Sequence, residues 1–88
     1  MHKITYGKKA VKQLKILERN TKLLKKLSEI LLDISTDPYS LNYNFERLKY
    51  NLSGYCSKRL DQKNRVVYKV EDEIVTVLIV LILGHYDD

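Results

Sequence analysis

The apolar residues of this chain change their spacing at Asp37-Pro38, and that switch limits what the chain can fold into more than any other feature. Over residues 8–19, Ala10, Val11, Leu14 and Leu17 recur three and four positions apart with lysines between them, the pattern of an amphipathic helix. Asn20-Thr21 interrupts the pattern, and Thr21 is suited to cap a second helix. In that helix Leu23, Leu24, Leu27, Ile30, Leu31 and Ile34 form a stripe opposite Lys22, Lys25, Lys26 and Glu29. The residue before a proline is pushed out of the helical region, so the second helix is expected to end at Asp37. Past the switch, residues 39–45 are polar and aromatic and read as a loop. Strand-like runs come next at 45–50, 55–60, 65–70 and 74–83, separated by Ser53-Gly54, by the polar stretch 61–64 and by the acidic turn 71–73. Residues 2–6 are short and partly β-branched, consistent with an initial strand.

The expected architecture is an α+β domain spanning residues 1–88. An N-terminal strand leads into a two-helix hairpin packed on one side of a four- to five-stranded, mostly antiparallel twisted sheet. The apolar run 74–83 is expected inside the sheet, because a continuous apolar strand wants cover on both faces.

With 88 residues the chain can build only a small core, and a deep substrate-enclosing cleft is not expected. The single cysteine, Cys56, cannot form an internal disulfide, and no Cys/His cluster supplies a zinc ligand set, so no metal or other cofactor is expected. Residues 1–15 carry lysines without an unbroken apolar core, unlike a secretory signal, and the expectation is a cytoplasmic protein. The run 74–83 is about half the roughly 20 residues that a membrane-spanning helix needs, so no membrane association is expected. Charge is uneven: residues 1–35 hold nine Lys/Arg against three acids, residues 36–70 seven against three, and residues 71–88 none against five. A basic body with an acidic end fits a polyanionic partner such as RNA, and on charge alone it fits a solvated lysine-rich helical face equally well.

The tract Phe45-Glu46-Arg47-Leu48-Lys49-Tyr50-Asn51-Leu52-Ser53-Gly54-Tyr55-Cys56-Ser57-Lys58-Arg59-Leu60, with Asn64-Arg65-Val66-Val67-Tyr68 and His85-Tyr86 further along, narrows the choice. It resembles the Txe/YoeB branch of the RelE/ParE toxin superfamily. That branch carries a Glu before Leu-Lys, an Asn-Leu-Ser-Gly-aromatic turn, a basic pair, an Arg-hydrophobic-Val-Tyr strand and a terminal His-Tyr, in this order. The resemblance implies a small sheet with an N-terminal helical hairpin. It also implies ribosome-dependent, metal-independent cleavage of messenger RNA, in which the RNA 2′-hydroxyl attacks the adjacent phosphate. Three groups are then needed: one to take the 2′ proton, one to stabilise the phosphorane and one to protonate the leaving 5′ oxygen.

By position, the resemblance assigns Glu46 as general base, Arg65 as the clamp on the scissile phosphate and His85 as general acid. An arginine suits its role through a planar fork of donors that stays charged, and a histidine through a pKa near neutrality. On residues alone, Glu46 reads as a surface carboxylate paired with Lys49 or Arg47, and His85 as a terminal side chain. Tyr86 corresponds to an aromatic that stacks on or orients a base. Lys49 and Lys58 are expected as contacts to RNA phosphate. Arg59 is a second phosphate-binding candidate provided the turn after Leu60 places residue 59 opposite residue 65; otherwise it is an ordinary solvated arginine. His2 matches no role. The implied partners are a YefM-like antitoxin, acidic and ordered on binding, together with the ribosome and messenger RNA, with a homodimer left open.

The chain departs from the family at Phe45, Cys56 and Asn64, and more consequentially at Leu83-Gly84 and Asp87-Asp88 around the terminal His-Tyr. Acids there repel RNA, and weaker cleavage or an altered codon preference is the expectation. Two other readings stand beside the nuclease: a non-catalytic antitoxin- or ribosome-binding module, and a gyrase poison. The Glu, Arg and His set favours RNA cleavage over gyrase.

Overall fold

A computed structural model describes residues 1–80 of the chain. Strand β1 (Lys3–Tyr6) passes through Gly7 into helix α1 (Lys8–Leu17), and helix α2 (Thr21–Thr36) begins after three residues. Beyond Pro38 come β2 (Glu46–Arg47), a 3-10 turn (Tyr50–Leu52), β3 (Tyr55–Arg59), β4 (Arg65–Glu71) and β5 (Ile74–Ile79). The sheet order is β1-β5-β4-β3-β2, with β1 parallel to β5 and the other pairings antiparallel. The α+β architecture, with a helical hairpin on one side of a mostly antiparallel five-stranded sheet, is the expected one, and β5 lies inside the sheet between β1 and β4.

The two helices meet at a tight corner made by Asn20, whose N–H donates to Leu17 O (2.8 Å) while its Oδ1 accepts from Leu23 N (3.1 Å). Asn20, not Thr21, is therefore the cap of α2. Its double role also closes α1 at Leu17, two residues before the expected end. The face that α1 buries is Ala10, Gln13 and Leu17 with Leu14 half-buried, whereas Val11 is turned outward. Gln13 belongs on that face because its Oε1 accepts from Val80 N at 2.7 Å, satisfying a buried amide at the end of β5. From α2, Leu27, Ile30 and Ile34 are buried, with Leu23, Leu24 and Leu31 packed against them, as the stripe requires.

Strand alternation sorts the sheet into two faces. Cys56 and Lys58 of β3, Val66 and Tyr68 of β4 and Val75 and Val77 of β5 are buried beneath the helices. Tyr55, Ser57 and Arg59 of β3 and Arg65, Val67 and Lys69 of β4 occupy the opposite face, which is open at Arg59, partly so at Tyr55, Arg65 and Lys69, and closed over Ser57 and Val67, which are buried. The strand expected over 45–50 shrinks to Glu46–Arg47, with one further bond from Leu48 N to Tyr55 O (2.9 Å), because Tyr50 takes a left-handed conformation (φ 58°) that turns the chain into the 3-10 turn.

Lys58 is the principal correction to the sequence reading. Instead of meeting phosphate at the surface, it is fully buried, and its Nζ donates to Ser40 O (2.7 Å), Ser40 Oγ (3.0 Å) and Asn42 O (2.9 Å). It also pairs with Asp33 Oδ2 at 3.2 Å and sits 5.0 Å over the Phe45 ring. The physical reason is parity: on β3, residue 58 falls on the helix face, where an ammonium is tolerated only with partners. Asp33 in turn accepts from Ser40 Oγ (2.7 Å) and Asn42 Nδ2 (2.8 Å). Burial pushes the Asp33 carboxyl upward, but the hydrogen bonds from Asn42, Ser40 and Lys58 and the Lys58 charge outweigh it and hold the group below the usual carboxylate range.

Replacing Lys58 by Met should destabilise the fold by about 3 kcal/mol, since it strands Asp33 and two loop carbonyls, and a urea unfolding series measures this. Because the Asp33 carboxyl is depressed in the folded state, its contribution is present above the unfolded-state value and lost as pH falls through the folded one. The stability gap between the native chain and Asp33→Asn should therefore be largest at neutral pH and shrink below about pH 4. Equal gaps at pH 7 and pH 3 would contradict this.

Candidate active site

The loop that Lys58 secures ends in two consecutive left-handed residues without glycine, Tyr43 (φ 58°) and Asn44 (φ 53°). Such a backbone costs roughly 1–2 kcal/mol per residue, more easily borne by Asn than by Tyr, and persists only where surrounding contacts enforce it. Here both carbonyls are used: Tyr43 O accepts from Arg59 N (2.6 Å) and Asn44 O from Arg65 Nη2 (2.6 Å). The next residues, Phe45 and Glu46, then enter β2 with Glu46 on the open face, opposite Ser57.

Arg65 is held from three sides. Its Nε donates to Ser57 Oγ (2.9 Å), its Nη2 donates to Asn44 O, and Nη2 lies 3.4 Å from Glu46 Oε1. The guanidinium is thus fixed by neutral acceptors at one edge, while its carboxylate partner is loose: the Glu46 side chain is 62% exposed against 20% for Arg65. An exposed ion pair of this kind contributes little and exchanges readily for another anion. The hairpin register pairs Arg59 directly with Arg65, so the condition set for Arg59 is met and both arginines emerge on the open face. Two like charges in that position repel, which favours an anion between them. The register is pinned by the turn: Asp61 Oδ1 accepts from Lys63 N (2.8 Å) and Asn64 N (2.7 Å), and Leu60 N donates to Asn64 O (2.9 Å).

Glu46, Arg65 and Arg59 are therefore brought together. Lys49 is exposed at the start of the 3-10 turn, three positions beyond Glu46, and Lys58 lies on the other face. His85 and Tyr86 fall outside the described residues. Among the described residues, no three His, Cys, Asp or Glu side chains gather as a metal site would require. Sequence reasoning missed Ser57 and Asn44. Alternation from Arg59 could have found Ser57, whereas Asn44 acts through its carbonyl and leaves no side-chain signal.

What the arrangement offers is an open, solvent-facing carboxylate beside an anchored guanidinium, with a second guanidinium across the hairpin. That set can bind an anion and move a proton next to it.

Comparison with known proteins gives a consistent picture. The family model described as "YoeB-like toxin of bacterial type II toxin-antitoxin system" matches residues 6–86. Toxin YoeB of Escherichia coli O6:H1 (strain CFT073) is 36% identical over 69 residues, covering 78% of this chain and 80% of that protein. In a heterotetrameric YoeB-YefM toxin-antitoxin complex from Staphylococcus aureus, the matching chain superposes with a TM-score of 0.85 at 29% identity, covering 94% of this chain and 98% of that one. A YoeB dimer from the same organism gives a TM-score of 0.83 at 30% identity, covering 93% and 97%. A family match running nearly the length of the chain, on the fold and strand order described above, shows that it belongs to the YoeB-like toxins of bacterial type II toxin-antitoxin systems.

Proposed function

We propose that this toxin is a metal-independent endoribonuclease that cuts messenger RNA in the decoding site of the ribosome. The observation that carries the reading is the convergence of Glu46 and Arg65 on the open face with Arg59 paired across the hairpin. The scissile phosphate displaces Glu46 from Arg65 and lies between the two guanidinium groups. Freed from its ion pair, the carboxylate takes the proton of the adjacent 2′-hydroxyl as O2′ bonds to phosphorus. The arginines stabilise the charge of the crowded phosphorane. His85 donates a proton to the 5′ oxygen as the P–O5′ bond breaks, leaving a 2′,3′-cyclic phosphate. Because the site is an open sheet surface, a flexible messenger must be ordered by something else, and the ribosome supplies that order. Lys49 and Tyr86 serve as further contacts to the RNA, to a phosphate and a base respectively.

The same basic face suits an acidic antitoxin segment of the YefM type, and a homodimer is part of the reading because the S. aureus relative forms one. The site of action in this reading is the cytoplasm, where translating ribosomes are. No described helix is long and apolar enough to cross a membrane.

Mapping messenger 5′ ends on translating ribosomes tests the reaction. Glu46→Gln, Arg65→Ala and His85→Ala should each slow cleavage by roughly a hundredfold or more while the protein stays folded. Full rates in all three would sink the assignment, and inhibition of supercoiling in place of cleavage would point to gyrase. The like-charge pair gives a second expected outcome: Arg59→Thr should raise the melting temperature slightly, by relieving repulsion opposite Arg65, while lowering cleavage. A variant that is both less stable and fully active would refute a phosphate-binding role for Arg59.

A further inference from the structure

One aromatic ring on the open face takes no part in the chemistry above. Tyr55 shares its face with Ser57 and Arg59, and stands opposite Lys69 of β4. On the other side, Leu48 N donates to its carbonyl, so Leu48, Tyr55 and Lys69 form one row across three chain segments. The neighbouring row is Glu46, Ser57 and Val67. Tyr55 therefore lies two residues, about 7 Å, along β3 from the serine that anchors Arg65. That separation suits the step from a phosphate held at Arg65 to the base of an adjacent nucleotide in an unstacked strand.

Three other tyrosines are engaged by partners within the molecule. Tyr68 Oη donates to Pro38 O (2.6 Å), Tyr39 packs edge-on against Phe45, and Tyr43 lies under the Lys26 ammonium. Tyr55, half-buried, stacks on no other described ring, and its hydroxyl bonds no described residue. Its neighbour Lys69 is held, among the described residues, by an exposed pair with Glu71 at 3.3 Å, which a phosphate can displace.

We propose that Tyr55 is a base-stacking, specificity-determining residue of this site. The nucleobase one step from the scissile phosphate lies on its ring, flanked by Leu48, while Lys69 meets the next phosphate. The proposal rests on the ribonuclease reading. Stacking on an aromatic face is strongest for the larger bases, so the site should favour a purine at one position flanking the cut.

The test uses ribosomes programmed with messengers that differ only in the bases flanking the cleavage point, with kcat/KM measured for each. The native chain should prefer a purine at one of these positions by several-fold, and Tyr55→Phe should keep that preference. Tyr55→Leu and Tyr55→Thr, both acceptable in a strand, should lower kcat/KM about tenfold and flatten the preference towards unity, with melting curves confirming that they fold. Unchanged preference and rate in a folded Tyr55→Leu or Tyr55→Thr protein would overturn this proposal alone. So would a Tyr55→Phe protein that behaves like Tyr55→Leu, since the hydroxyl and not the ring face would then be responsible. Absence of any cleavage by the native chain would overturn the ribonuclease reading and this proposal with it.

Discussion

The site depends on an ammonium group buried on the side of the sheet facing away from it. Removing a lysine from water is strongly unfavourable unless its donors are met, and Lys58 meets this demand by drawing in Asp33 from α2 and the backbone of the 39–45 loop. The loop has no regular structure of its own, so these bonds are what give it a shape. That shape includes the left-handed pair Tyr43-Asn44, and the pair aims one carbonyl at the Arg59 backbone and the next at the Arg65 guanidinium. A buried charge on the helix face is thus connected, through one loop, to the geometry of an exposed charge on the other.

The open face is organised in the opposite way. Arg59 and Arg65 stand opposite each other, a placement that works against stability, and Glu46 neutralises only one of them through a loose pair. Neutral acceptors, Ser57 Oγ and Asn44 O, fix the direction of Arg65 without satisfying its charge. A guanidinium held in place but not strongly neutralised is poised to pair with an anion and would reorganise little in doing so. An interior made this way would be unstable; on an open sheet face the residual charge is solvated.

Much of this was legible beforehand because it reflects short-range periodicity. The helix stripes, the polar breaks between strands and the apolar run 74–83 gave the element order, and the tract from Glu46 to Tyr68 gave the family. The errors lie where one residue's role depends on distant partners. Gln13 looks like a surface residue of a helix until Val80 N is found beside it, and Val11 looks like core until the face is set by the sheet. Thr21 and Asn20 are both reasonable caps, and only the corner geometry chooses Asn20. Lys49 and Lys58 read alike as basic residues near a candidate site, yet one is exposed and the other is at the centre of a polar network.

The sequence by itself determined the elements, their order and the residue types able to bind an anion and move a proton, since each of these is encoded within a few neighbouring positions. Tertiary structure decided which of those residues share a face. In a strand, one step of register exchanges the two faces, so the difference between Lys58 buried and Arg59 presented is set by the pairing of β3 with β4 and β2, and by the helices that cover one side. That pairing put Glu46, Arg59 and Arg65 on one surface, and no local pattern in the chain could have shown how Asn44 and Ser57 hold Arg65 there.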